Sequence, residues 1–370
     1  MAVWPNKRLT SVDFLRGLAI AGMIVVNNPG DRLHVFDQLR HAVWDGCTVA
    51  DGIFPVFLFL VGVCVALAVD RDAVRAGAAG FFWAKVLRRT AVLFLLGVLE
   101  NVYLHLQLEH LRIPGVLQRI AVVYLATVWL HVRLGNRGVV TTIVTVLVGY
   151  WLLLVLVPVP GLGRPSLASD VNLEGWVDQL LLRGHIWSRG TTWDPEGVLS
   201  TLPAIALGAI GLLSGRWLRA GGRRTFLVVG LGLVLVGCGL AWGRTFPLNK
   251  SLCTSSFVLT MGGLALVLLA AGHGALDGRA PAVWAKPLVI LGTNPLTLYV
   301  VASFVASTLR HIKLVGGPGG TINAQVFLYR MFFGGWPQNA WTSLAWAVLF
   351  LLALFPLAWL LHTRRIAIRV

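Results

Sequence analysis

Asn27, Asn28, His41, Trp44, Asp45, Thr48 and Asp51 are polar residues close together in an otherwise largely apolar stretch. An imidazole takes or gives a proton near neutral pH, which is what activating an amine or hydroxyl nucleophile requires. An amide such as Asn27 can donate to an oxyanion formed at a carbonyl, and Asp51 can hold the imidazole of His41 in one tautomer. The same residues also read as local structure. Asn27 and Asn28 would then end one helix, His41 would sit in an exposed loop, and Asp51 would cap the next helix, with Pro55 one turn inside it. Spacing alone leaves both readings open.

Whatever positions these side chains is built for lipid. Of the 370 residues, 57% are hydrophobic and 12% charged, against about 45–50% and about 25% in an ordinary soluble domain. Apolar runs of roughly 17–25 residues, long enough for a hydrocarbon core about 30 Å thick, recur along the whole chain. The expected fold is an all-α integral membrane protein. It is a bundle of about ten transmembrane helices over 12–28, 49–69, 90–104, 113–131, 139–158, 196–214, 225–242, 252–271, 287–309 and 341–362, forming a single domain over 1–370. The first run carries Asp13 and Arg16 and lacks a small-residue cleavage site, so it reads as mature protein rather than a signal peptide.

The net charge of +16 does not point to nucleic acid, because the basic residues form no stripe and no reader motif. They fall in alternate connectors: Arg71, Arg75, Lys85, Arg88 and Arg89 in one, Arg216, Arg219, Arg223 and Arg224 in another, and Arg364, Arg365 and Arg369 in the tail. That bias predicts a cytoplasmic side holding these segments and both termini. The opposite connectors hold most of the acids, including Asp31, Asp37, Glu100, Glu109, Asp170, Glu174 and Asp178. The connector 159–195, with Trp176, Trp187 and Trp193 and an amphipathic stretch at Val171–Leu182, reads as an interfacial element. Cys47, Cys64, Cys238 and Cys253 show no metal-type spacing; a Cys47–Cys253 bridge is the one pairing left open, and no metal is expected.

Further polar residues interrupt or border the spans. Arg112 and Arg119 flank or enter the fourth, where a charge in hydrocarbon is a functional candidate by default. Arg119 suits either a pair with Glu100 or the phosphate and carbonyl groups of a cofactor. Asn294, between Thr293 and Pro295, interrupts the ninth span and either lines a cavity or marks a kink. Asp194 and Glu196 introduce the sixth span, where carboxylates suit the positive end of a helix or, facing a cavity, a cationic amino sugar. Asn249-Lys250-Ser251 spells a glycosylation sequon too close to a helix end for occupancy.

The first stretch, RLTSVDFLRGLAIAGMIVVNNPGD from Arg8 and then HAVWDGCTVADGIFPVFLFLVG from His41, resembles the heparan-alpha-glucosaminide N-acetyltransferase family. That family carries similar VDxxRGxAxxxMxxVNxxG and HAxWxGxTVADxxFPxFxFxxG patterns. Similar blocks follow in family order: RIPGVLQR at Arg112–Arg119, DPEGVLST at Asp194–Thr201, Asn249-Lys250, and LGTNPLTLYV at Leu291–Val300. The resemblance implies that His41 is catalytic, that Asn27 assists it, and that Asp51 is the matching TVAD aspartate. It also implies acetyl transfer from cytoplasmic acetyl-CoA to an amine or hydroxyl of an amino sugar or glycan on the outer side, and a homodimer by analogy to the family; the excess of Arg over Lys points separately to a bacterial cytoplasmic membrane. On that expectation Arg112, Arg119 and Asn294 face the coenzyme, and Trp44, Asp45, Asp194, Glu196, Asn249 and Lys250 face the acceptor. The competing class is a polytopic transporter or flippase for a small polar or sugar-linked substrate, suggested by Arg119, by the interrupted ninth span and by five spans on either side of the long loop. A scaffold that has lost catalysis is a third class, against which the intact His41 block argues.

Overall fold

Lipid offers the backbone no hydrogen-bond partners, so apolar runs close their own bonds as helices. The computed structural model describes residues 9–75, 79–105, 111–187, 192–278, 282–315, 320–366 and 368; Arg8, Glu109 and Arg369 lie outside them. The helices are α1 (Thr10–Asn27), α2 (Val49–Ala68), α3 (Arg71–Arg75), α4 (Ala79–His105), α5 (Val116–Arg133), α6 (Asn136–Leu156) and α7 (Leu173–Leu182). They continue as α8 (Thr201–Arg219), α9 (Thr225–Trp242), α10 (Ser255–Leu276), α11 (Lys286–Gly292), α12 (Pro295–His311), α13 (Ala324–Phe333) and α14 (Ala340–Thr363). Two short antiparallel hairpins, Leu167–Ala168 with Val171–Asn172 and Lys313–Val315 with Thr321–Asn323, precede α7 and α13.

Among the described residues, eight helices are long and apolar enough to cross a membrane: α1, α2, α5, α6, α8, α9, α10 and α14. A ninth is counted if α11 and α12 form one broken span, bent by 73°. The break has a local cause, because the residue before a proline is pushed out of the helical region and Asn294, before Pro295, sits at φ −136° and ψ 55°. The expectation of ten included 90–104, which falls in α4, a helix of 27 residues that does not meet the same length-and-composition test. Its first half carries Lys85, Arg88 and Arg89.

Small residues bring the central helices together, as they must where lipid gives no hydrophobic drive to associate. On α8, Gly211 and Gly215 lie against the carbonyls of Phe59 and Val63 on α2, and Gly62 of α2 lies against the carbonyl of Gly208. Around this contact Phe59, Val63, Val123, Leu207, Leu212 and Leu269 form the main core. A second core joins α1, α11, α12 and α14 through Ile20, Leu298, Ala302 and Phe350. By contrast α9 is a peripheral helix, with Leu231 53%, Leu233 58% and Val234 59% exposed, an apolar surface suited to acyl chains.

The polar side chains gather at two ends. At one end Arg75 and Arg219 donate to the carbonyls of Val132 and Val69, at 2.8 and 2.7 Å, and Arg216 donates to those of His131 and Leu134. These arginines satisfy orphan carbonyls at the C-termini of α2 and α5. The other end holds His41, the long connector, and the turns before α8 and α10. In that connector α7 turns Leu173, Glu174, Gly175 and Asp178 inward and leaves Leu180 63% and Leu181 60% exposed. Its buried face therefore includes two acids. A Gly62→Ala chain should separate α2 from α8 and lose about 1–3 kcal/mol, seen as a lower melting temperature in detergent; an unchanged melting temperature would remove this contact from the core of the fold.

Candidate active site at the His41 end

The first turn of α2 organises the site. Asp51 reaches back to the backbone N–H of Thr48 at 3.1 Å and accepts from the Thr48 hydroxyl at 3.0 Å, the return half of a capping box. The same oxygen accepts from the N–H of Ala42 at 3.1 Å, and the other lies 2.8 Å from His41 Nδ1. Asp51 is thus the helix cap and the partner of the imidazole at once, and its side chain is 1% exposed. Lys250 Nζ stands 3.2 Å from His41 Nδ1 and 3.6 Å from Asp51 Oδ1. A carboxylate can only accept and an ammonium can only donate. The hydrogen on the ring therefore belongs on Nδ1, directed at Asp51, and Lys250 serves the carboxylate. Nε2 is left bare, on a side chain 46% exposed, and is the atom that can take a proton.

Loop 41–48 is held against the turn before α10. Gly46, at φ 112°, donates to the carbonyl of Leu248 at 2.8 Å, a left-handed conformation that favours glycine. Asn249 donates to Asp45 at 3.2 Å and accepts from the N–H of Leu252 at 2.8 Å. It is fully buried, so it organises the turn and offers no surface for a glycan. Burial lowers the Lys250 pKa, and the Asp51 carboxylate opposes that shift. Trp44 donates to the carbonyl of Leu167 at 2.9 Å and meets Trp193 edge to face at 4.9 Å, with Trp187 beyond at 6.0 Å from Trp193. The four cysteines are free, so the Cys47–Cys253 bridge is not made; burial pushes the Cys47 thiol up to about 11.

Arg112, Asp194 and Glu196, expected to face different ligands, bind one another. Arg112 Nε and Nη2 donate to both oxygens of Asp194 at 2.8 and 2.5 Å, and Nη2 donates to Glu196 at 2.5 Å. Burial alone would depress this guanidinium, but the two carboxylates outweigh it and raise its pKa. The acids do not begin a helix as expected, since α8 starts at Thr201; they build the turn before it, where Asp194 also accepts from the N–H of Trp187 at 2.8 Å.

Arg119 makes no pair with Glu100. It is buried, donating to Ser200 Oγ at 2.5 Å and the Gly197 carbonyl at 3.2 Å, while Glu100 accepts from Ser303 at 2.5 Å. Asn294 makes no contact with the imidazole among the described residues; its amide is tied to the backbone of Ile366 and Ile368 at 2.9 and 3.0 Å. Asn27 stands at the end of α1 with no hydrogen bond to the ring of His41; it borders a cavity of about 60 Å³ with Tyr299 and Ser303.

Sequence reasoning did not single out Glu174 and Asp178 for the site, since acids on an amphipathic stretch look solvated. Both are fully buried. Asp178 accepts from the N–H groups of Val198 and Asp194 at 2.9 and 3.1 Å, and neither oxygen of Glu174 has a hydrogen-bond partner among the described residues. Burial, with Asp178 beside it, raises Glu174 well above the usual carboxylate range, and burial raises Asp178 to about 6.

Residues 8–168 match the family model described as heparan-alpha-glucosaminide N-acetyltransferase, catalytic. The heparan-alpha-glucosaminide N-acetyltransferase of Homo sapiens is 29% identical, over 79% of this chain and 52% of that protein. The protein of the same name from Mus musculus is also 29% identical, over 80% and 53%. The chain spans about half the length of the curated relatives it matches. The resemblance read from the motifs therefore holds, and the matched segment contains Asn27, His41, Trp44, Asp45, Asp51, Arg112 and Arg119.

The raised acids fix the sign of a pH effect. A carboxyl whose folded pKa lies above its unfolded value stabilises the fold at low pH, and that contribution is lost as pH rises through the folded value. For Asp178 the window runs from 3.8 to about 6, and Glu174 extends it upward. The melting temperature should fall between pH 4 and 8, and Glu174→Gln, which imitates the neutral acid, should flatten the fall. A variant curve parallel to that of the parent would show that Glu174 is already ionised.

Proposed function

We propose that, like the relatives whose catalytic model it matches, this chain is a transmembrane acetyltransferase that moves an acetyl group from acetyl-CoA to an amine or hydroxyl of an amino sugar or glycan, with His41 as general base. The observation that carries the reading is the His41–Asp51 pair, whose Nδ1–H is fixed on a buried carboxylate while Nε2 stays open, within the matched residues. The acceptor's nitrogen or oxygen attacks the thioester carbon and its proton passes to Nε2. A C–N or C–O bond forms, the C–S bond breaks, and the leaving thiolate takes the proton back from the imidazolium. Asp51 stabilises the imidazolium, and Lys250 keeps Asp51 ionised. Asn27 offers an amide N–H to the oxyanion. Direct attack within a ternary complex is preferred to an acetyl-histidine intermediate, because no labile species then faces water.

The aromatic edge formed by Trp44, Trp193 and Trp187 suits the apolar face of a sugar ring. The arginine-bordered end away from His41 suits a cytoplasmic orientation and the entry of an anionic coenzyme near Arg88, Arg89 and Arg216. On this orientation His41 works at the non-cytoplasmic face of a bacterial inner membrane. The broken pair α11 and α12 favours the transporter class instead, which requires uptake into sealed vesicles without acetyl-CoA.

Purified chain, labelled acetyl-CoA and a panel of amino sugars test the proposal. His41→Ala should reduce transfer by about 10²–10⁴-fold with an unchanged elution volume in detergent. Asp51→Asn should lower kcat more than it raises KM. Full turnover in His41→Ala would refute the assignment.

A further inference from the structure

Two segments distant in sequence surround His41: its own loop, residues 41–48, and the turn at 246–254 before α10, which carries Lys250. The turn is closed by its own side chains. Asn249 accepts from the N–H of Leu252 at 2.8 Å and donates its backbone N–H to Thr254 Oγ1 at 3.1 Å. Thr254 and Ser256 donate to the carbonyls of Pro247 and Phe246 at 2.8 and 2.6 Å. Asn249, Thr254 and Ser256 are fully buried, so each needs the partner it has.

Two hydrogen bonds carry that order across to the loop. Asn249 Nδ2 donates to Asp45 Oδ1 at 3.2 Å, and the N–H of Gly46 donates to the carbonyl of Leu248 at 2.8 Å. Asp51 holds the same loop near its ends, through the N–H groups of Ala42 and Thr48. The loop is therefore pinned at its ends by α2 and in its middle by the turn. Lys250 follows Asn249 directly, and its Nζ reaches His41 Nδ1 at 3.2 Å and Asp51 Oδ1 at 3.6 Å. One amide thus governs both the seat of the loop and the place of the ammonium that faces the ring.

We propose that Asn249 and Asp45 are positioning residues, whose hydrogen bond clamps loop 41–48 to the turn before α10 and so keeps His41 and Lys250 in register around Asp51. The proposal rests on the acetyltransferase reading and adds to it two residues that act on the reaction through His41 without touching a substrate. A misplacement of about 1 Å costs about 100-fold in rate. Among the described residues, the charged groups facing the ring are Asp51 from α2 and Lys250 from the turn, with the Cys47 thiol beside them. An ammonium beside an imidazole opposes its protonation. If the turn loosens and Lys250 withdraws, the inactive imidazolium persists to higher pH.

The test uses the full chain in detergent with labelled acetyl-CoA and one amino-sugar acceptor, and reads kcat, both KM values and the pH profile of kcat/KM. Asn249→Asp keeps the oxygen that serves Leu252 and sets a second carboxylate against Asp45. It should lower kcat by about 10–100-fold, leave both KM values nearly unchanged, and move the acid limb of the profile to higher pH. Asp45→Ala should act in the same direction, although removing a negative charge would by itself move that limb to lower pH. The double variant of Asn249→Asp with Asp45→Asn reverses donor and acceptor, and should recover most of the lost rate. If Asn249→Asp does not fold, Asp45→Ala at its exposed position carries the test, with Asp45→Asn restoring the rate because it keeps an acceptor oxygen. Parental kcat in Asp45→Ala overturns the proposal, as does a double variant no faster than Asn249→Asp. A loss confined to the acceptor's KM also overturns it, and would make Asp45 a binding residue. A parent chain that transfers no acetyl group overturns the underlying reading and this proposal with it, whereas a parent that transfers normally beside unaffected variants overturns this proposal alone.

Discussion

One buried carboxylate holds the His41 end together. Asp51 caps α2, anchors the N–H of Ala42, fixes the ring of His41 and draws in Lys250 from the turn before α10. A carboxylate with so little exposure is tolerated only because every direction around it supplies a donor or a cation. The constraint that makes the acid affordable also makes it informative, since it determines which imidazole nitrogen carries the hydrogen. The helix cap and the orientation of the imidazole are consequences of one placement, so capping by Asp51 does not compete with its holding the ring.

A second acid cluster gives the neighbouring wall its shape. Asp194 and Asp178 both accept backbone N–H groups in the turn before α8, while Arg112 brings the end of the α4–α5 connection onto Asp194 and Glu196. Its geometry is that of a forked guanidinium on an acid, and it is the kind of pair whose disruption strands a buried charge. Residues 194–198 are thereby tied to Arg112 and to α7 close to where Trp193 meets Trp44.

The sequence made some of this legible. Asp51 followed from its place at the start of an apolar run, and His41 from the block that precedes it. The long apolar runs identified helices, although 287–309 is broken into α11 and α12 and the helix holding 90–104, with Lys85, Arg88 and Arg89, does not pass as a span on length and composition. Pairings across long separations were not legible. Arg112 and Asp194 stand 82 positions apart, so each was assigned its own ligand although they neutralise one another. At Asn294 the kink, one of the two readings the sequence allowed, is present, and only the packed tail reveals Ile366 and Ile368 as its partners. On α7 the periodicity marked an amphipathic helix without saying which face is buried, and the acids proved to be inside because the turn before α8 offers them N–H groups.

The contact between Lys250 and His41 joins positions 209 residues apart. During synthesis the imidazole and its aspartate enter the membrane early, while the ammonium that faces them and the turn that braces their loop are still to be translated. Since chains of this size assemble as their segments are made, the first two helices must wait until just over two-thirds of the polypeptide is made before the imidazole has its full electrostatic surroundings. A ribosome-bound fragment ending before that turn would hold the histidine and its aspartate without the facing ammonium.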